Sequence, residues 1–399
     1  MNPIYMDYAC TSFPKPECVI QAVTDYMTRI GSNVSRSSYG SAYEAEEIVY
    51  ETRALLCELF HGPDPRNVIF TKNITESLNV LLKGILKSGD HALVSAMEHN
   101  AVMRPLNQIA RELPAGEQPR TETDITYTRI PCDRAGFLQT DQMQKLCLPN
   151  TRAVILMTAS NVSGTLMPIE AVGSFCKKNG LLLIVDTAQT AGAIAIDMEK
   201  CGIDALAFTG HKGLLGPQGT GGFIASDTLA QKMKPLLTGG TGSFSHLESV
   251  PAILPDRFEA GTLNLPGIAG LGAALRFLKN RGMDTILAHE RRLTQLFLDA
   301  IKPLADGNVF HIAGPENACE RAAVVSLAMD DMDPSQVAFR LEQDYRILTR
   351  VGLHCAPSAH KCLGTYPTGT IRFSFGWATA EDEVINAAEA LSVICETRE

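Results

Sequence analysis

Two short runs in the middle of the chain carry the groups best suited to chemistry. Phe208-Thr209-Gly210-His211-Lys212-Gly213 follows an apolar stretch and offers a primary amine, with Gly216, Gly219, Gly221 and Gly222 close behind. Such an amine can condense with a carbonyl compound, and glycines let backbone approach a ligand closely. Leu183-Ile184-Val185-Asp186-Thr187-Ala188-Gln189 sets a carboxylate just beyond a buried-type strand. If buried there, that carboxylate needs a cationic partner.

A pyridoxal-5′-phosphate (PLP) cofactor would unite these two runs. It needs a lysine for a Schiff base, an acid against the pyridine nitrogen, phosphate donors and a flat face against the ring. Asp186 facing a protonated pyridine would make the ring an electron sink, and Thr209 and His211 can donate to a phosphate. His99, in Glu98-His99-Asn100 after another strand-like run, can lie flat on the ring. The stretch from Thr71 to Thr75 opens a helix, where free N–H groups and the helix dipole favour an anion. Each feature also has an ordinary reading. Asp186 could be a turn or helix-cap residue, Lys212 a solvated loop lysine, His99 a surface or core side chain, and Thr75 part of a simple cap.

These groups need a scaffold, and the apolar pattern supplies one. Helical spacing runs from about Ala42 to Phe60 and again to Leu86, opened by Asn73-x-x-Glu76. Strand-like runs at Val68–Thr71, His91–Ala96, Arg152–Thr158, Leu181–Asp186 and Ala205–Thr209 alternate with helices expected at Ala101–Glu112 and Ile169–Asn179. Continuously apolar strands imply an α/β fold, a mostly parallel sheet covered by helices on both faces. Ligands of such sheets gather at the carboxyl ends of the strands, where Asp186 and the Thr209–Lys212 run fall. After Gly261 the texture changes. Helices at Ile268–Leu278, Ile286–Ile301 and Pro334–Glu342 and strands at Ala323–Ala328 and Thr370–Phe375 suggest a smaller α+β domain. The expected division is 15–260 for the large domain and 261–399, joined by 1–14, for the small one.

The bulk numbers fit an ordinary two-domain globular chain: 399 residues, 45% hydrophobic and 20% charged. A net charge of −9 argues against a general binder of nucleic acid or anionic membrane. No basic-then-apolar leader is read at the start, and no apolar run nears the roughly 18 to 20 residues of a membrane span. Eleven cysteines, an odd number without Cys-x-x-Cys zinc pairs, suggest reduced thiols in a cytoplasm and no metal site.

Taken in order, the motifs resemble the class V aminotransferase group of fold type I PLP enzymes, and within it the cysteine desulfurase/selenocysteine lyase family. The similarity runs from Met6-Asp7-Tyr8-Ala9 through Thr75-Glu76-Ser77-Leu78-Asn79, Glu98-His99-Asn100 and Ser160-Asn161-Val162-Ser163-Gly164. It continues through Asp186-Thr187-Ala188-Gln189, Gly210-His211-Lys212, Gly239-Gly240-Thr241-Gly242-Ser243 and Phe258-Glu259-Ala260-Gly261-Thr262, and ends with Arg350-Val351-Gly352-Leu353-His354-Cys355-Ala356-Pro357. The resemblance implies a large domain built on a seven-stranded-type sheet and a small C-terminal domain. It implies that Lys212 carries PLP, Asp186 meets the pyridine nitrogen, and His99 stacks on the ring with Gln189 and Asn161 near its hydroxyl. Thr75, Thr209 and His211 would hold the phosphate, and Thr241 would reach the phosphate of a neighbouring subunit, which implies a homodimer with shared sites. Arg372 would clamp the substrate carboxylate with a two-pronged guanidinium, and Asn33 and Arg36 match a substrate-facing loop.

Cys355 sits in a glycine- and proline-bearing loop flanked by His354 and Arg350, whose positive charge would favour the attacking thiolate. In the family this position accepts sulfur from cysteine, leaving a persulfide and alanine, and a protein acceptor can follow. Cys57, Cys147, Cys176 and Cys395 read as core, and Cys362 as either a packed or a resolving thiol. The loop reads Leu-His-Cys-Ala-Pro-Ser-Ala-His-Lys, unlike the His-His-Cys-Ala-Gln-Pro type of the SUF-linked enzymes, and gives His360 and Lys361 no role. Selenocysteine lyase, a cysteine-conjugate C–S β-lyase, an aminotransferase and a non-catalytic sulfur-relay protein are the competing readings.

Overall fold

A computed structural model describes residues 3–34, 39–117, 119 and 121–397. Its large sheet has eight strands: β1 (Val68–Thr71), β2 (His91–Ser95), β3 (Arg111–Glu112), β4 (Thr126–Ile130), β5 (Thr151–Met157), β6 (Leu182–Asp186), β7 (Ala205–Thr209) and β8 (Gly221–Ala225). Their order across the sheet is β1-β8-β7-β6-β5-β2-β4-β3. Only β8 runs against its neighbours. The sheet therefore exceeds the expected seven strands by the two-residue edge strand β3.

The apolar strands are explained by their two faces. Val154 and Leu156 of β5 and Leu183 and Val185 of β6 enter one core, with the Gly40–Phe60, Ile169–Asn179 and Leu265–Arg281 helices. Ala153, Ile155 and Ile184 enter the other, with the Ile74–Ile85 and Asn100–Ile109 helices. Successive residues of a strand point to opposite faces, so a sheet buried on both sides needs apolar residues at every position. Each fully buried Leu, Ile or Val contributes roughly 1.5–3 kcal/mol.

A second, antiparallel sheet is ordered β9-β10-β12-β11, from β9 (Phe310–Ala313), β10 (Val324–Met329), β11 (Arg350–Gly352) and β12 (Thr370–Ser374). Its core joins Leu293, Phe297, Phe310, Val325, Phe373 and Leu391 to Met6 from the N-terminal segment. The change of core does not coincide with residue 261. The helix Leu265–Arg281 is built into the large-sheet core, and the following helix Met283–Asp306 supplies Leu293, Phe297 and Ile301 to the small one.

One helix is shorter than its sequence suggests. It ends at Ile109, and Arg111–Glu112 pairs with β4 instead. There the Glu112 carboxylate accepts from Arg129 Nε at 2.9 Å and Tyr127 Oη at 3.0 Å, ion pairing that a helix would forgo.

Candidate active site

Because β2, β5, β6 and β7 are parallel, their carboxyl ends meet along one edge of the sheet. Asp186 closes β6, and Thr209 closes β7 three residues before Lys212. Lys212 sits in a tight turn in which Leu215 N–H donates to its carbonyl at 2.8 Å. That turn lies against the turn after Asp186. A Cβ on Gly192, whose φ is +91°, would come within 2.0 Å of the Gly213 carbonyl, so only glycine admits this contact. The N-terminal segment pins the other side: the His211 carbonyl accepts from Ser12 N at 3.0 Å, Thr11 Oγ1 at 3.0 Å and Lys15 Nζ at 2.8 Å.

Burial pushes the Lys212 ammonium down to about 8, against the opposing pull of Asp186. Asp186 is itself raised by burial, offset by the Ala188 N–H that donates to Oδ1 at 2.8 Å and by the charge of Lys212. The imidazole of His99 caps the helix after β2, with Nδ1 accepting from Ala101 N at 3.0 Å. Its pKa is lowered to about 4 by burial and then by Lys212, Arg372 and Arg104, so the ring is neutral and its proton belongs on Nε2. Beside it Glu98 is fully buried. Oε1 accepts from Ser95 Oγ at 2.6 Å and Met157 N at 3.0 Å, and Oε2 has no partner among the described residues. Burial lifts this carboxyl to about 8, so it is an acid rather than a charge near neutrality.

Further buried polar atoms on this edge lack partners among the described residues. Thr209 Oγ1 and Asn161 Oδ1 are among them. Buried polar groups ordinarily find hydrogen bonds, so these two mark where a polar ligand would be received. Asn161 Nδ2 donates to the His354 carbonyl at 2.7 Å, and Gln189 Nε2 to the Ala9 carbonyl at 3.2 Å. His211 Nδ1 lies 3.1 Å from Thr11 Oγ1. Arg372 on β12 is 3% exposed. Its Nη2 donates to Asp7 Oδ1 at 2.8 Å and its Nη1 to the Asn161 carbonyl at 3.0 Å, while Nε is unpartnered.

Cys355 is exposed at the tip of a turn leading out of β11. His354 and Cys355 both have left-handed backbone, with φ of 45° and 57°, and Ala356 N–H closes the turn on the Leu353 carbonyl at 2.8 Å. Two consecutive non-glycine residues at positive φ are strained, and surrounding contacts must hold them. Here Asn161 holds the His354 carbonyl, Asn100 N–H donates to the Cys355 carbonyl at 2.8 Å, and His354 Nε2 meets Thr370 Oγ1 at 3.0 Å.

The flanking charges differ from expectation. His354 is buried and its pKa falls far below the usual value, through burial and then Arg372, so it is a neutral strut and not a cation beside the thiol. Arg350 Nη1 instead contacts Cys10 Sγ at 2.9 Å and Asp7 Oδ2 at 3.4 Å. His360 is wholly buried and bonds Thr365 Oγ1 at 2.6 Å through Nδ1, and Lys361 lies 5.2 Å over the Tyr366 ring.

Thr75 is exposed in the first turn of its helix, beside the Asn73 cap that accepts from Glu76 N at 3.0 Å. Asn33 and Thr241 line a separate hollow with Arg53, Asp256 and Glu259. Arg36 lies outside the described residues. Cys57, Cys176 and Cys395 are buried, whereas Cys147 is half-buried at the end of a short helix. Cys362 Sγ packs near the carbonyls of Cys132 and Asp133, at 3.4 and 3.3 Å. Glu98, Asp7, Cys10 and Lys15 were not singled out from sequence. Glu98 and Asp7 stand inside quoted motifs, but only the fold reveals their partners.

Comparison with known proteins identifies the family of the chain. The Aminotransferase class-V profile matches residues 4–386. A protein of Halalkalibacterium halodurans named probable cysteine desulfurase is 32% identical, over 97% of this chain and 92% of that protein. A probable cysteine desulfurase of Methanothermobacter thermautotrophicus is 30% identical over 98% and 94%. The apo structure of a cysteine desulfurase from Thermococcus onnurineus superposes with a TM-score of 0.87 at 30% identity, covering 99% of this chain and 94% of that one. By sequence and by fold, the chain belongs to the Aminotransferase class-V family of PLP-dependent enzymes.

Proposed function

We propose that the chain is a PLP-dependent cysteine desulfurase, which moves the sulfur of L-cysteine onto Cys355 and releases L-alanine. The observation that carries this reading is the exposed Cys355, held in a strained turn by Asn161 and Asn100 on the edge that bears Asp186 and Lys212. A β-eliminating or amino-transferring enzyme would have no use for a thiol so presented.

The residues fit the cofactor. Asp186 is a buried carboxylate with one N–H donor and is suited to a protonated ring nitrogen. His99 is a neutral flat ring, Thr209 Oγ1 is a buried hydroxyl awaiting an acceptor, and Asn161 Oδ1 is a buried acceptor awaiting a donor. His211, Gln189 and Thr75 complete the proposed cradle. Bound through Lys212, PLP supplies an electron sink that makes the substrate Cα proton removable.

The chain's own groups do the rest. The Lys212 amine, with its pKa drawn towards neutrality by burial, takes the Cα proton. Arg372 holds the substrate carboxylate, with Nε still free to donate. Cys355 Sγ bonds to the substrate sulfur as the carbon–sulfur bond breaks, and it keeps that sulfur as a persulfide.

We further infer a homodimer with shared sites, in which the loop bearing Thr241 serves the partner's phosphate and Asn33 and Arg36 serve a substrate-facing loop. Supporting this, Tyr39 just before the Gly40–Phe60 helix, Tyr43 and Tyr50 within it, and Leu236, Leu237, Phe244 and Leu247 around Thr241 leave large apolar side chains exposed in the single chain. Eleven free thiols suit a reducing cytoplasm, and an acceptor protein would complete the sulfur route. No helix of the described residues is long and apolar enough to cross a membrane.

Product analysis with cysteine, selenocysteine and cystine tests the reading. Wild type should give alanine and a protein persulfide, and Cys355→Ala should give neither while retaining the visible absorbance of lysine-bound cofactor. Pyruvate and ammonia from a fully active Cys355→Ala variant would establish β-elimination instead.

A further inference from the structure

One carbonyl at the lysine turn is offered more protons than it can accept. The His211 carbonyl lies 2.8 Å from Lys15 Nζ, 3.0 Å from Ser12 N, 3.0 Å from Thr11 Oγ1 and 3.1 Å from Ser12 Oγ. A carbonyl oxygen has two lone pairs, so two of these four donors are surplus. The Lys15 ammonium makes the shortest of the four bonds, a charge-assisted one, and also donates to Ser12 Oγ at 2.7 Å. Together with the Ser12 N–H, whose direction the backbone fixes, it fills the oxygen. Thr11 has another acceptor in reach, since its Oγ1 lies 3.1 Å from Nδ1 of the same His211. A hydroxyl has one proton to give, and its destination decides the tautomer of the ring. Given to the carbonyl, it leaves Thr11 Oγ1 to accept from an Nδ1–H, and Nε2 becomes an acceptor. Given to Nδ1, it puts the ring's own proton on Nε2. The ring is neutral, with its pKa lowered to about 4 by burial and then by Lys212 and Lys15, so it has a single proton to place.

We propose that Lys15, with Ser12, is a positioning residue for the cofactor phosphate: by occupying the His211 carbonyl it turns the Thr11 hydroxyl onto His211 Nδ1 and fixes Nε2–H as the donor. The inference rests on the PLP reading and on His211 as a phosphate ligand. Lys15 acts at one remove. It needs no contact with the phosphate, because its charge is spent on the choice between a donor and an acceptor at Nε2. An anionic phosphate takes a hydrogen bond from Nε2–H, whereas the other tautomer would set a lone pair against it.

Two measurements test this: PLP titration, and the nitrogen chemical shifts of histidine-labelled holoenzyme with His211 assigned from His211→Gln. Wild type should carry the His211 proton on Nε2. The double variant Ser12→Ala/Lys15→Met, which removes both side-chain donors from the carbonyl, should move it to Nδ1 and weaken PLP binding about tenfold. Lys15→Arg, which keeps the charge, should leave both readouts near wild type. Adding Thr11→Val to the double variant takes away the acceptor that holds the Nδ1 proton. Binding should then recover to within roughly threefold of wild type, whereas simple damage to packing would deepen with the third substitution. A wild-type proton on Nδ1 overturns the proposal, and that result needs no variant to fold. Unchanged PLP affinity in the double variant, or no recovery in the triple one, overturns it too. So does His211→Gln binding PLP as tightly as wild type, with the PLP reading left intact. Wild type that develops no lysine-bound absorbance with PLP overturns both together.

Discussion

One of the side-chain bonds that hold the turn presenting Cys355 can be removed without changing shape. Thr370 Oγ1 lies 3.0 Å from His354 Nε2, and both residues are buried. Since His354 Nδ1 has no partner among the described residues, Thr370→Val removes the side-chain hydrogen bond of the ring. An unpaired buried group costs roughly 1–3 kcal/mol. Holding His354 and Cys355 at φ of 45° and 57° costs on the order of 1–2 kcal/mol each. The bond is thus comparable to the strain it opposes, and its loss should let the turn relax and withdraw the sulfur. A shift of about 1–2 kcal/mol corresponds to a fall of roughly 5–30-fold in single-turnover persulfide formation, read by rapid mixing and thiol trapping. Thr370→Ser, which retains the hydroxyl, should stay near wild type. The reasoning fails if the valine variant forms persulfide at the wild-type rate, or if valine and serine slow it equally.

Two further outcomes follow from the same geometry. Gly192→Ala should displace the Lys212 turn, because the new methyl would meet the Gly213 carbonyl at 2.0 Å; titration with PLP should show weak binding and little of the lysine-bound absorbance. His91, wholly buried between Thr151 and Thr128, has its pKa lowered by burial to about 4. The unfolded chain binds that proton near pH 6.5, so the stability contribution is full above that value and is lost as pH falls towards 4, by about 3 kcal/mol over roughly 2.5 units. Urea unfolding of His91→Gln at both ends of that interval should show the smaller acid loss; an equal loss in wild type and variant would refute the assignment.

Much of the scaffold is legible because a sheet buried on both faces writes itself as unbroken apolar runs. β6 and β7, with Asp186 and Lys212 just beyond them, can be read directly. β8 cannot, because its glycines read as a ligand-cradling loop. Their actual work is packing: a Cβ on Gly222 would lie 2.5 Å from the Phe208 ring, and one on Gly221 would lie 2.6 Å from Asn73 Cα. The candidate site divides in the same way. Residues with distinctive chemistry announce themselves, whereas Asp7, Cys10 and Lys15 acquire meaning only when the N-terminal segment is laid across the lysine turn. The charge of His354 was misjudged for the same reason, since proximity in sequence says nothing of burial.

That N-terminal segment ties together the extremes of the polypeptide. Ile4 and Tyr5 pair with Ile347 and Leu348, Asp7 holds Arg372, and Ala9 N–H donates to Ser374 Oγ at 2.9 Å, while Ser12 and Lys15 grip the His211 carbonyl. During synthesis on the ribosome, Thr11, Ser12 and Lys15 can dock once His211 emerges, whereas Asp7 waits for Arg372 some 365 residues later. A nascent chain can therefore fold its large sheet around Lys212 before the Asp7–Arg372 pair and the Cys355 turn can form. On the proposed function, sulfur chemistry therefore waits until both Cys355 and Arg372 have been made.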